Sequence, residues 1–151
     1  SLHDKVAAAG AELCVETLEA LENKTAHFEK QGESPTAYAK MLTKELGNID
    51  WSEPAVRIER LVRGLNSWPS AYTRWNGKVM KIWKAAAEPA EQAQDAVPGT
   101  VLHTGKDDFT VQTGDGILRV LEVQNPGKKR METGAFLRGY TVEPGTVFVR
   151  E

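Results

Sequence analysis

Residues Thr113 to Met131, TGDGILRVLEVQNPGKKRM, constrain this chain more than any other stretch. Gly114-Asp115-Gly116 supplies positions that tolerate positive φ, so the backbone can reverse there. Ile117 to Val123 is then nearly continuous in aliphatic residues, interrupted by Arg119 and Glu122. A strand this apolar is too rich to be wet on one side. It predicts a barrel strand with another element packed on its outer face. Asn125-Pro126-Gly127 ends the run, and Lys128, Lys129 and Arg130 follow at once. A rigid strand therefore presents a basic turn, an arrangement suited to a phosphate backbone.

The segments before it read as three helices, a linker and a hairpin. Residues 2 to 22 carry Ala7, Ala11, Cys14, Leu18 and Leu21 at alternating spacings of four and three, an apolar helical stripe that Val6, Leu13 and Val15 widen. A helix this apolar needs a sheet or other helices to cover it, and no strand precedes it here. Residues 23 to 35 are polar and end in Glu-Ser-Pro, a linker by composition. Thr36 to Leu46 is expected to form a short helix closed by Gly47, with Lys40 and Lys44 one turn apart on the same face. Ser52-Glu53-Pro54 marks a helix start, and Ile58, Leu61, Val62 and Leu65 keep helical spacing. Arg57, Arg60 and Arg63 lie off that stripe, and the helix should stop near Asn66, ahead of Ser67-Trp68-Pro69.

Ala71 to Trp75 and Lys78 to Trp83 flank Asn76-Gly77, the strongest short hairpin signal a sequence offers. Met80 and Ile82 fall on one face of the second strand; Val79, Lys81 and Trp83 fall on the other. Residues 86 to 98, rich in Ala, Glu, Gln and Pro, read as a loose loop. Further strands are expected at Thr100 to Thr104, Phe109 to Thr113 and Thr146 to Arg150, with one or two helical turns over Thr133 to Arg138. Six short strands, hairpin turns and a small helix before the last strand predict an α+β, mainly β chain: an OB-like small β-barrel preceded by N-terminal helices. Residues 1–24 are expected to be a terminal helix, 25–48 a linker with a short helix, and 49–151 the barrel domain.

Composition narrows the chemistry. No apolar run approaches the roughly 20 residues of a membrane helix, and nothing resembles a signal peptide. Cys14 is the only cysteine, which excludes an intrachain disulfide and a cysteine-rich metal site and fits a reducing, cytoplasmic setting. His3, His27 and His103 lack the spacing of a metal-binding pair. Cys14 reads as a buried small hydrophobe rather than a nucleophile, and Trp68 and Trp83 read as core rather than base-stacking residues. The net charge of −2 hides an asymmetry: residues 54–84 hold seven Lys/Arg against one acid, Glu59, giving +6. A local basic surface on an acidic chain points to a polyanion partner. The candidate phosphate contacts are Lys128, Lys129 and Arg130 first, then Arg57, Arg60, Arg63, Lys78, Lys81, Lys84 and Arg138, with Lys40 and Lys44 from the linker. Arg119, set inside the long strand, reads as structural.

The same stretch resembles the C-terminal half of methionyl-tRNA formyltransferases. So do SLHDKVAAAGAELCVETLEAL, YAKMLTKELGNIDWSEPAVRIERLVRGLNSWPSAY, NGKVMKIWKA, PGTVL and FLRGYTVEPG, in that order. The GKKRM and IDWS blocks are the most specific, and Ser67 departs from the family's usual proline. The resemblance implies a C-terminal barrel that holds initiator methionyl-tRNA, with lysines of the linker region implicated in holding it. The first helix would be the last helix of a catalytic domain otherwise missing, whose sheet would cover it. It also implies formyl transfer from 10-formyltetrahydrofolate to the methionyl amine. The Asn, His and Asp that perform that step in the family lie upstream of Ser1, so the chain alone is expected to be inactive and to bind no cofactor. Two alternatives stay open: a related formyltransferase acting on a sugar amine or folate, and a stand-alone OB-type nucleic-acid module. Self-association through the apolar first helix is a further expectation.

Overall fold

The computed structural model describes residues 2–36, 38–89 and 96–150. The chain divides into two compact units, residues 1–39 and 40–151. The first contains α1 (Leu2–Glu22), which has no buried residue. Its apolar side chains stay in solvent, with Val6, Leu13 and Leu18 each about 60% exposed at 62%, 61% and 61%. Cys14 is exposed as well, which corrects the expectation that it is buried.

The second unit is a six-stranded antiparallel sheet with two helices. After a 3-10 turn at Lys44–Gly47 come α2 (Ala55–Gly64), β1 (Ala71–Trp75), β2 (Lys78–Glu88), β3 (Val101–Thr104), β4 (Phe109–Gln112), β5 (Ile117–Gln124), β6 (Met131–Glu132) and α3 (Thr133–Leu137). The strand order is β1-β2-β5-β4-β3, with β6 paired to β5. The long aliphatic strand β5 is therefore central, pairing with β2, β4 and β6. Leu118, Val120 and Val123 on it are fully buried. The ladder path is open at β1 and β3. Residues 146–149 meet both sides through single bridges, Arg74 with Val149 and Thr100 with Val147. They form this pair of bridges rather than the expected last strand, and β6 supplies the sixth strand instead.

The core follows from alternation. Ala71, Thr73 and Trp75 of β1 and Met80 and Ile82 of β2 point inward, as the hairpin pattern predicts. Ala55, Ile58 and Val62 of α2 are buried as it packs mainly on β2. Trp51 is 4% exposed; its indole N–H donates to the Thr73 hydroxyl at 3.0 Å, and its ring stacks on Phe148 at 5.9 Å. Gly114 is required by close approach. A Cβ there would run into the Ser52 carbonyl, while its own N–H donates to Trp51 O at 2.9 Å.

Three expectations are corrected here. The described residues between Thr36 and Thr43 form no helix and are irregular until the 3-10 turn, so the expected helix over Thr36 to Leu46 is not seen among them. Tyr38 and Met41 are 87% and 90% exposed, so that segment buries no apolar face to offset the cost of starting a helix. Residues 86 to 88 are strand rather than loop, because Ala86, Ala87 and Glu88 pair with Arg119, Leu118 and Ile117. The rest of that expected loop over 90–95 lies outside the described residues. Trp68, expected in the core, is 57% exposed.

Candidate nucleic-acid interface

The second hairpin strand and the basic turn lie side by side because β2 and β5 are paired. Lys81 faces Gln124 and Lys84 faces Glu122 across that ladder. The turn after β5 is then tied down by side chains. Trp83 Nε1 donates to Gln124 Oε1 at 3.0 Å, and Gln124 Nε2 donates to the Lys128 carbonyl at 2.7 Å. Asn66, beyond the end of α2, donates to the Trp83 carbonyl at 3.2 Å. The positive φ of Gly127 lets the chain double back between strand and basic residues.

Trp83 is half-buried rather than core, and cations gather on its ring. The Lys81 ammonium lies 5.6 Å and the Arg130 guanidinium 5.2 Å from its centroid. Arg130 also pairs with Glu122. The signal was present in the sequence, since Lys81 and Trp83 are two residues apart on a strand and so share a face. Sequence reasoning nonetheless placed Trp83 inside, and it missed Asn66 and Gln124, whose amides carry no charge or motif to mark them.

Three shallow cavities run along this surface. The first, about 270 Å³, takes Arg63, Lys84 and Arg130 around Trp83, with Glu59 at its margin. The second, also about 270 Å³, is lined by Lys81 beside Gln124 and the Asn125-Pro126-Gly127 turn. The third, about 320 Å³, shares Asn125 and Pro126 with the second and adds Lys78, Lys128, Trp75 and Tyr140. Six of the twelve candidate cations therefore line these cavities: Arg63, Lys78, Lys81, Lys84, Lys128 and Arg130. The second and third cavities share lining residues, and the first is tied to the second through the contacts of Trp83 with Lys81 and Gln124.

The other six line none of these cavities. Arg57 is bound at 3.0 Å to Glu53, four residues earlier on α2's side. Arg60 is exposed on α2, and Lys129 is exposed in the turn. Arg138 is exposed at the C-cap of α3. Lys40 is exposed ahead of the 3-10 turn that Lys44 begins. Neither arginine lining these cavities is a free charge, since Arg63 pairs with Glu59 and Arg130 with Glu122. Arg63 donates to Glu59 at 3.1 Å, and this bond, with the glutamate's charge, raises its pKa further above the ordinary arginine value.

Arg119 stands apart from these cavities. Its guanidinium donates twice to Glu88, at 2.6 and 2.9 Å, and once to Asp108 at 2.7 Å. Those hydrogen bonds, Glu88 first and Asp108 second, raise its pKa, and Arg119 in turn holds the Glu88 carboxyl below the usual glutamate range. The geometry agrees with a structural role. Among the described residues, no three His, Cys, Asp or Glu gather where a metal ion would bind, and no helix is long and apolar enough to cross a membrane. What the cations lining the cavities can do chemically is hold phosphates.

Known proteins with this sequence pattern are consistent in kind. The family described as formyl transferase, C-terminal domain, matches residues 41–141. The methionyl-tRNA formyltransferase of Agathobacter rectalis is 53% identical over 98% of this chain. That of Lachnospira eligens is 47% identical over 97%. The chain spans about half the length of these curated relatives, 47% and 48%, and aligns with their C-terminal part. Among solved structures, HypX from Aquifex aeolicus in complex with tetrahydrofolic acid superposes with a TM-score of 0.52 at 24% identity, over 84% of this chain and 23% of HypX. That likeness concerns the fold. The chain belongs to the family of formyl transferase C-terminal domains.

Proposed function

We infer that this chain is the tRNA-holding, C-terminal part of a methionyl-tRNA formyltransferase, acting in cytoplasmic translation initiation. The whole enzyme would move a formyl group from 10-formyltetrahydrofolate to the amine of initiator methionyl-tRNA. That reaction needs a base for the amine proton and donors for the tetrahedral oxyanion. On this reading both, together with the folate site, belong to the length of the relatives that this chain does not span, and the chain alone is inactive. Residues 1–24 would be the last helix of the catalytic domain, 25–48 the connection, and 49–151 an OB-like barrel. The double bridging by residues 146–149 supports the barrel reading, since that segment touches both sides of the otherwise open sheet.

The observation that carries the tRNA reading is the track of six cations lining three cavities on and beside the β2–β5 ladder. Contacts of that kind add affinity and fix orientation without reading sequence. Lys129 and Arg138, exposed outside those cavities, would add further phosphate contacts, as would Lys40, Lys44, Arg57 and Arg60.

The test is a titration of initiator tRNA with this chain across salt concentrations. Binding should weaken linearly in log–log form, with the slope falling by about 0.9 for each duplex phosphate contact removed. Lys128→Ala, Lys129→Ala and Arg130→Ala combined should flatten the slope by about two to three and weaken binding at least tenfold. A slope unchanged by the triple substitution would overturn the assignment of the basic turn. Absence of binding at low salt would favour a small amine substrate.

A further inference from the structure

The third cavity differs from its neighbours in what lines it. Its aromatic side is Tyr140, whose ring lies parallel to Phe136 at 4.8 Å and 14°, so one face is already backed by the core. Trp75 braces the same ring edge-on at 6.2 Å. Tyr140 is 37% exposed although it is so supported, which leaves a rigid aromatic surface open at the cavity. Opposite chemistry comes from two turns. Asn76 and Lys78 arrive from the hairpin, where Asn76 and Gly77 both have positive φ, at 49° and 72°. Asn125 and Lys128 arrive from the turn after β5, which the Trp83–Gln124–Lys128 hydrogen bonds hold in place.

The charge balance is also distinct. The first cavity has Glu59 at its margin, and its arginines are bound to Glu59 and Glu122. No carboxylate lines the third, and neither Lys78 nor Lys128 forms an ion pair among the described residues. A supported ring, two carboxamides and two uncompensated ammonium groups in about 320 Å³ form a set that matches one nucleotide. Stacking on the ring is open to any base, the amides can meet base edges, and the lysines can hold the 5′ phosphate.

We propose that this cavity is a subsite for a single unpaired nucleotide, with its base on Tyr140 and its phosphate at Lys78 and Lys128. The proposal rests on the tRNA reading above and deepens it, because a phosphate track alone would accept a duplex and need no aromatic floor.

The experiment follows this chain by NMR or calorimetry as uridine or adenosine 5′-monophosphate is added, with inorganic phosphate as the comparison probe. The nucleotides should bind detectably more tightly than phosphate. Tyr140→Ala should weaken them roughly tenfold and Tyr140→Phe should restore them. Lys78→Ala, at an exposed hairpin end, should weaken nucleotide and phosphate alike and does not disturb the core. On initiator tRNA, Tyr140→Ala should lower affinity without changing the salt slope, since it removes no phosphate contact. Nucleotides that bind no better than phosphate, or that are indifferent to both Tyr140→Ala and Lys78→Ala, would overturn the subsite while leaving salt-dependent tRNA binding intact. Nucleotide binding that persists without any tRNA binding would uphold the pocket and sink the tRNA reading.

Discussion

Arg119, within β5, and Arg130, just past its end, have opposite fates. Arg119 lies within β5 and spends its donors on Glu88 and Asp108, which joins the end of β2 to the turn before β4. Arg130 lies just past β5 and divides its guanidinium between Glu122 and the face of Trp83. Both are half-exposed or nearly so, with side chains 36% and 43% accessible. Exposure therefore does not separate a structural cation from one available to a ligand. The separation comes from how many donors the fold has already satisfied and whether the partner carboxylates come from elements that must stay together.

If that distinction holds, the two arginines should fail in different assays. Arg119→Ala leaves two carboxylates close together without their shared cation. It should lower stability by about 1–2 kcal/mol, discounted for solvent access, and leave the salt dependence of tRNA binding unchanged. Thermal melts beside a tRNA titration would check both halves. A flattened salt slope in this variant would erase the contrast.

Acid should expose the same asymmetry on a smaller scale. Glu88 has its pKa lowered in the folded chain, chiefly by the hydrogen bonds from Arg119. Its contribution is present above the ordinary glutamate value, about 4.3, and is lost as pH falls through the lower folded value. Asp50, lowered first by the Ser52 hydroxyl and then by its N–H, behaves in the same sense. Melts from pH 6 down to 2 should thus show a stability loss concentrated below about 4, and Arg119→Ala should shrink it. A loss of equal size in wild type and variant would mean that the Arg119 pairs add nothing to acid sensitivity.

The smallest effect concerns Trp83. Trp83→Leu keeps apolar bulk but removes the ring beneath Lys81 and Arg130, and each such contact is worth about 0.5–1 kcal/mol at an exposed site. The expected result is a severalfold loss of tRNA affinity, partly recovered by Trp83→Phe. Equal affinity for all three proteins would show that the ring does not organise the cations.

How much of this was readable beforehand varies with how local the cause is. The Asn76-Gly77 hairpin, the aliphatic β5 and the arginine-bearing α2 all announce themselves, because turn chemistry and periodicity act within a few residues. The Ala86 to Glu88 extension of β2 did not, since an alanine run has weak strand preference and only pairing with β5 makes it a strand. The helix expected over Thr36 to Leu46 had the right spacing and no surface to bury it. At the candidate site, charges could be named but not gathered. Arg63 and Arg130 are 67 positions apart in sequence, and only the β2–β5 ladder with α2 above it puts both beside Trp83. Trp83 itself was misassigned because alternation says which face a residue takes, not how deeply that face is covered.

The bridging by residues 146–149 bears on when this unit can be completed during synthesis. Arg74 exchanges both backbone bonds with Val149, at 3.1 and 3.3 Å, and Val101 and Gly99 take up Thr146 and Phe148. Tyr72 of the first strand accepts from the Ile49 N–H at 2.9 Å, but Arg74 must wait for its partner until residues 146–149, far later in the sequence, leave the ribosome. Until then the nascent chain carries two open strand edges at once, and residues 146–149 quiet both in a single event.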